Sequence, residues 1–146
     1  SLLDFYNIPI EGKKVVVVGR SNIVGKPVSI MFLKRNATVT ICHSKTKNIS
    51  SITKEADIVV VAVGKPHFLK ADMVKENSVV VDVGIHRVED LSTEKGYKVI
   101  GDVDFDEVSK KTYAITPVPG GVGIMTRVAL MENILKLGLH SSGYIK

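Results

Sequence analysis

The sequence predicts a doubly wound parallel α/β sheet, and three observations carry that prediction. β-branched runs recur at Val15-Val16-Val17-Val18, Ile58-Val59-Val60-Val61 and Val79-Val80-Val81, apolar on both faces like strands covered by helices on each side. Segments of helical length separate them, as parallel strands joined by right-handed crossovers require. The runs also stop at Gly19, Gly64 and Gly84, at the strand ends where such sheets place their ligands.

Composition agrees. The chain has 146 residues, 45% hydrophobic and 24% charged, which suits one domain with a sizeable core. The net charge is +5, with Lys and Arg scattered and without aromatic interleaving, a pattern that argues against nucleic-acid binding. No apolar run approaches membrane-spanning length and no secretory signal is visible, so no membrane partner is expected. A lone Cys42 excludes an internal disulfide and fits a reducing, cytoplasmic location. The first residue, Ser1, suggests a processed chain or a piece of a longer one.

In order along the chain, residues 1–6 read as the end of a helix. Pro9 and Gly12 separate them from a strand at 14–18. A helix follows the Gly turn to about Arg35, and Asn36 is its stop. Residues 38–42 form a second strand, 49–54 a short helix, 58–63 a third strand, 69–75 a short helix and 78–83 a fourth strand. Residues 86–98 are polar and read as a surface excursion. A short helix at 104–110, a strand at 113–115, a loop at 116–123 and a last helix at about 125–137 complete the chain. That helix spreads Val128, Leu130, Met131, Ile134, Leu135 and Leu137 around much of its circumference. A surface helix normally confines apolar residues to one stripe. It and residues 1–12 are therefore expected to pack on a second domain, or the helix is buried on two sides within this fold or a dimer.

Strand, glycine turn and helix form a phosphate-binding opening. Here the turn reads Gly19-Arg20-Ser21-Asn22-Ile23-Val24-Gly25-Lys26-Pro27. A Gly-x-Gly-x-x-Gly pattern would place glycine at 21 and 24, which hold Ser21 and Val24. The Ser21 hydroxyl is expected to bond a phosphate, helped by helix N–H groups. About 20 residues further on, NAD-preferring enzymes place an acidic residue on the ribose. The corresponding stretch is Cys42-His43-Ser44-Lys45-Thr46, which has no carboxylate. Together with Arg20 it would accept a 2′-phosphate. A charge-assisted contact of about 1.5–3 kcal/mol favours NADP over NAD by roughly 10- to 100-fold.

Val63-Gly64-Lys65-Pro66 and Asp82-Val83-Gly84-Ile85 end two further strands, and their glycines would let a flat ring approach the backbone. Asp82, inside an apolar strand, must be hydrogen-bonded if buried. Asp102, Asp104, Asp106 and Glu107 read as a solvated turn with helix-capping carboxylates rather than a metal site. Pro117-Val118-Pro119-Gly120-Gly121-Val122-Gly123 combines stiffness with sharp turning and is a further site candidate. His43, His67, His86 and His140 form no metal-ligand pattern. No catalytic acid, base or nucleophile is identified on this chain.

Five motifs in this order carry a resemblance: residues 18–27, 42–46, 61–66, 81–85 and 116–123. Nearly the whole chain resembles the cofactor domain of bifunctional methylenetetrahydrofolate dehydrogenase/cyclohydrolase. The resemblance implies a Rossmann-like fold, one-carbon metabolism supplying purine biosynthesis, and a cytosolic, usually dimeric enzyme. It implies oxidation of methylenetetrahydrofolate with NADP, then hydrolysis of methenyltetrahydrofolate to formyltetrahydrofolate. Family cofactor contacts fall on Gly19, Arg20, Ser21, Ser44 and Ile85. With their turns, the cofactor candidates extend to Ile23, Val24, His43, Val63, Gly64, Pro66 and Gly84. The loop facing the folate cleft matches Pro119, Gly120, Gly121 and Gly123. The family's catalytic Lys and Tyr belong to an N-terminal domain that this chain lacks, and its usual Pro before Met-Thr is Ile124 here. The chain alone is therefore expected to bind NADP and catalyse neither reaction. The alternatives are the nucleotide domain of another two-domain NADP dehydrogenase, such as one resembling shikimate dehydrogenase, or a non-catalytic NADP-binding module.

Overall fold

Four consecutive valines make β1 (Lys14–Val18) the centre of the molecule. In the computed structural model, which describes residues 2–144, β1 pairs in parallel with β2 (Thr38–Cys42) on one side and β3 (Ile58–Val61) on the other. β4 (Val79–Asp82) and β7 (Ala114–Ile115) extend the sheet, giving the order β2-β1-β3-β4-β7, all parallel. Period-two alternation divides the valines between two cores. Val16, Val18, Val59, Val61 and Val80 face Leu69, Val103 and Val108, while Val15, Val17, Ile58 and Val60 face Ile10, Phe32 and Ala37. Burying each such side chain contributes about 1.5–3 kcal/mol relative to exposure.

α1 (Leu2–Phe5) precedes β1; α2 (Gly25–Leu33), α3 (Ile49–Thr53) and α4 (Phe105–Val108) lie between strands; and α5 (Val122–Ser141) follows β7. Ser1, part of the expected N-terminal helix, lies outside the described residues. α2 ends before Arg35, and Asn36 takes the left-handed conformation (φ 60°) that closes it. The helix expected at 69–75 is a single 3₁₀ turn, Ala71–Met73. It is short because the bond pattern breaks there: Leu69 bridges in parallel to Val103 and Val74 is extended and buried.

The polar stretch at 86–98 is not merely an excursion. It forms an antiparallel pair, β5 (His86–Glu89) with β6 (Tyr97–Ile100), in which His86 faces Ile100 and Glu89 faces Tyr97. His86 and Val88 are half-buried while Arg87 and Glu89 are exposed, a period-two signal that polarity obscured. The Arg87 guanidinium stacks over Tyr97 at 5.2 Å. The Thr93 hydroxyl closes the connection on the carbonyls of Asp90 and Tyr97.

α5 starts at Val122, three residues before the expected Met125, and none of its residues is buried. Of the two readings of its apolar surface, burial on two sides within this fold is excluded.

Candidate functional site

Parallel pairing sends the carboxyl ends of β1, β2, β3, β4 and β7 to one edge of the sheet. Every sequence-predicted site residue lies on the turns after those strand ends, except Gly123, which falls in the first turn of α5. The chain leaves β1 for β2 on one side and returns to β3 on the other, so the switch point, where open sheets of this kind bind ligands, falls between β1 and β3.

Gly19 sits at that point. Its φ is +128°, and a Cβ there would overlap the carbonyl of Ala62. A Cβ on Gly25 would overlap the Gly19 carbonyl. These two glycines let the turn press against β3 and close on itself, which accounts for the first and last glycines of the pattern.

Ser21 accounts for the missing middle one, in a different way from the sequence expectation. Its Oγ accepts the N–H groups of Val24 (3.1 Å) and Gly25 (3.3 Å), and its carbonyl accepts the Lys26 N–H (3.0 Å). Pro27 has none to give. The first turn of α2 therefore offers no free donor to a phosphate, and the expectation that helix N–H groups bind it is corrected. The open donors are the main-chain N–H groups of residues 20–23, which make no hydrogen bond among the described residues. Arg20 and Ser21 are exposed beside them, Ile23 is exposed and Val24 half-buried. Ser21 Oγ, already accepting twice, keeps its own hydrogen for an anion.

β2 ends in a tight turn. The His43 N–H donates to Thr46 Oγ1 (2.9 Å), the Lys45 N–H to His43 Nδ1 (3.1 Å) and the Thr46 N–H to the His43 carbonyl (2.8 Å). Ser44 and Lys45 remain exposed. Val18 pairs with Cys42, so Arg20 and Ser44 each stand two residues beyond one paired position, on adjacent strands.

The turns after β3 and β4 are organised by two carboxylates. Asp102, read from sequence as part of a solvated turn, is fully buried. Its Oδ2 accepts the N–H groups of Val63 (2.7 Å) and Gly64 (2.9 Å), and its Oδ1 that of Lys65 (3.0 Å) and the His86 Nε2 (2.7 Å). The reversal at Gly64 (φ +69°) makes residues 63–65 an anion-binding concavity already filled by the protein's own carboxylate. Asp82 is buried and bonded, as the sequence required. Its carboxylate accepts the N–H groups of Gly84 (2.8 Å), Asp102 (3.0 Å) and Val103 (2.9 Å). Burial pushes the Asp82 carboxyl above its usual value, those three donors oppose the rise, and the Asp102 charge adds to it. A Cβ on Gly84 would overlap Asp102, and one on Gly101 would overlap Asp82. Pro66 and Ile85 stay exposed on the rim. Asp104 precedes α4 without a side-chain cap bond, and Asp106 and Glu107 occupy its first turn.

Asp102 and His86 are the members of this rim that sequence reading missed. The available signal was a carboxylate between Gly101 and Val103, within an otherwise apolar Val99-Ile100-Gly101-Asp102-Val103.

After β7, Thr116 Oγ1 accepts the Asp82 N–H (2.8 Å), the Val118–Pro119 bond is cis, and Gly121 is buried where a Cβ would overlap the Pro117 carbonyl. Pro119, Gly120 and Gly123 are exposed. Gly120 and Gly121 border an apolar groove of about 480 Å³, which also takes in Phe5, Ile115, Ile124 and Met125. Beyond it α5 carries Leu130, Met131 and Leu137 at 59–69% exposure. Among the described residues no cluster of three metal-ligating side chains occurs, and no helix is long and apolar enough to cross a membrane.

The family model for the tetrahydrofolate dehydrogenase/cyclohydrolase NAD(P)-binding domain matches residues 1–141. This chain belongs to that family. It is 62% identical over 138 residues to the bifunctional protein FolD of Acholeplasma laidlawii, covering 94% of this chain and 47% of that protein. With FolD of Dictyoglomus thermophilum it shares 58% identity over 135 residues, covering 92% and 45%. Among solved structures, Campylobacter jejuni FolD superimposes with a TM-score of 0.85 at 54% identity, covering 92% of this chain and 45% of that one. Trypanosoma brucei FolD, solved with NADP cofactor and inhibitor, gives 0.90 at 42% identity, covering 97% and 48%. The chain thus spans about half the length of these relatives. Family and fold agree with the sequence reading: a Rossmann-like NAD(P)-binding domain of the FolD type.

Proposed function

We propose that the chain is the cofactor half of an NADP-dependent methylenetetrahydrofolate dehydrogenase that also acts as methenyltetrahydrofolate cyclohydrolase. The observation that carries this reading is the open stretch of rim after β1 and β2. Four unpaired main-chain N–H groups at residues 20–23 stand beside Arg20, and no carboxylate occurs at 43–46. The amides would hold the pyrophosphate; Arg20 and Ser44, with His43 alongside, would hold the 2′-phosphate. Ile23 and Val24 would cover the dinucleotide, while Val63, Gly64, Pro66, Gly84 and Ile85 would border its nicotinamide end. When bound, NADP supplies the hydride acceptor for the folate methylene group. The residues of this chain bind and orient; they carry no proton-transfer group for the reaction.

A tetrahydrofolate derivative would lie against Pro119, Gly120, Gly121 and Gly123. An N-terminal domain carrying a Tyr-x-x-x-Lys motif would cover the apolar groove and α5, which the 480 Å³ opening and the exposed helix support. The complete protein would be a cytoplasmic homodimer serving purine biosynthesis. The 146-residue chain alone would bind NADP and turn over neither folate.

Calorimetry with NADP and NAD tests the reading. NADP should bind about 10- to 100-fold more tightly, and Arg20→Ala should remove most of that preference while leaving NAD affinity nearly unchanged. Equal affinity for the two dinucleotides in the unaltered chain overturns it.

A further inference from the structure

We propose that Asp102, together with His86, is a positioning residue for the nicotinamide half of the cofactor, an inference that rests on the NADP reading above. The two turns assigned to that half, after β3 and after β4, are both bonded to Asp102. Asp102 gathers the N–H groups of Val63, Gly64 and Lys65 on one side and His86 Nε2 on the other. Those four donors fill the capacity of one carboxylate. Its oxygens are fully buried, and the His86 side chain is only 19% exposed. The pair is therefore part of the wall, out of reach of a ligand.

Its effect falls on what is exposed. With their N–H groups turned inward onto Asp102, residues 63–65 have no main-chain donor left for a phosphate. Gly64 is open, since nothing lies within 4 Å of where a Cβ would stand. On the other turn, the Gly84 N–H is held by Asp82 and the His86 ring by Asp102. Ile85, between these two anchors, is 73% exposed. The arrangement fixes the backbone on both sides of the exposed Ile85, which, like Gly64, stands three residues beyond the paired ends Asp82 and Val61 of adjacent strands. A ring placed there meets the Gly64 turn, set by Asp102, and the Ile85 turn, set by Asp102 through His86 together with Asp82. The adenosine half, at residues 19–24 and 43–46, has no bond to this network.

That separation supplies the test. Calorimetry on the chain compares NADP with adenosine 2′,5′-bisphosphate, which lacks the nicotinamide half. Asp102→Asn replaces two acceptor positions with an amide donor facing N–H groups. It should weaken NADP about 10-fold and leave the bisphosphate within about 2-fold, a tenfold change being about 1.4 kcal/mol. His86→Ala should weaken NADP alone, to a smaller extent, and His86→Gln, which restores a donor to Asp102, should recover most of the loss. If Asp102→Asn does not fold, the two His86 variants decide. Equal weakening of both probes would show a purely structural role and overturn the proposal, as would unchanged NADP affinity in every variant. An unaltered chain that binds the bisphosphate but gains nothing from the nicotinamide half overturns it too. An unaltered chain that binds neither probe overturns the NADP reading itself, and the proposal with it.

Discussion

The turns after β1 and β3 lie on adjacent strands, each contains a glycine with positive φ, and they treat their main-chain donors in opposite ways. After β1, the side chain of Ser21 satisfies the start of α2, and the N–H groups of residues 20–23 are left open beside Arg20. After β3, the N–H groups of residues 63–65 are all taken by Asp102. A glycine-bearing turn at a strand end therefore does not by itself indicate an anion site. What decides is whether the protein supplies its own acceptor. The difference divides the rim into a stretch with open main-chain donors and a stretch whose donors the chain itself fills, as the proposed placing of phosphates at one and nicotinamide at the other requires.

The two glycines should differ most. Gly19→Ala forces a Cβ into the Ala62 carbonyl at a φ of +128°, which should cost about 3 kcal/mol or more. The melting temperature should then drop by about 10 °C, or soluble protein should be lost. Gly64→Ala meets nothing within 4 Å and bears only the strain of φ +69°, about 1–2 kcal/mol. Scanning calorimetry of both variants checks the order, and equal losses would show that the two turns are not built differently.

Ser21→Ala should come next. It removes an acceptor shared by two N–H groups at the start of α2, a loss of about 1 kcal/mol by analogy with helix caps. Urea denaturation measures it. Unchanged stability would mean that the hydroxyl serves the ligand alone, and the contrast with Asp102 would fail.

Much of this rim could be read from the residues, and the reason is local. Val15–Val18 form a strand wherever they are placed in a parallel sheet, and β1 begins and ends where the pattern said. Gly19, Arg20 and Ser44 announced themselves by their place after strands and by a missing carboxylate. The misses are residues whose role depends on distant partners. Asp102 lies 39 positions from Val63, whose N–H it accepts, and in a run of acids it looks like solvated polarity. His86 is a polar residue in a polar stretch until β5 pairs with β6. The second role of Ser21, as acceptor for the start of α2, was missed because it depends on the exact path of the turn, which composition does not reveal. The fate of α5 was also open, since its apolar circumference fits any covering surface equally well.

β3 is held by carboxylates at both ends, and the far end provides the smallest and most discriminating comparison. Just before β3, the Asp57 carboxylate accepts from Lys75 Nζ (2.7 Å) and from the Lys14 N–H (3.0 Å). The Lys75 hydrogen bond, then the Lys14 N–H, hold the Asp57 carboxyl below its usual value. A carboxyl more acidic in the folded than in the unfolded state stabilises the fold above its unfolded pKa, about 4, and that contribution disappears as pH falls through the folded value. Asp82, raised by burial, behaves oppositely: its ionised form costs stability, and acid relieves that cost. Asp57→Asn should therefore lose about 1 kcal/mol at pH 7, and its deficit relative to the unaltered chain should shrink toward pH 3. Its NADP affinity at pH 7 should match the unaltered chain, because Asp57 pins the end of β3 remote from the rim. Urea denaturation at pH 7 and at acid pH, with one titration of NADP, checks both parts. A deficit independent of pH would show that Asp57 acts through shape rather than charge. A loss of NADP affinity as large as that from Asp102→Asn would show that pinning β3 anywhere is sufficient, and that the filled turn has no special role.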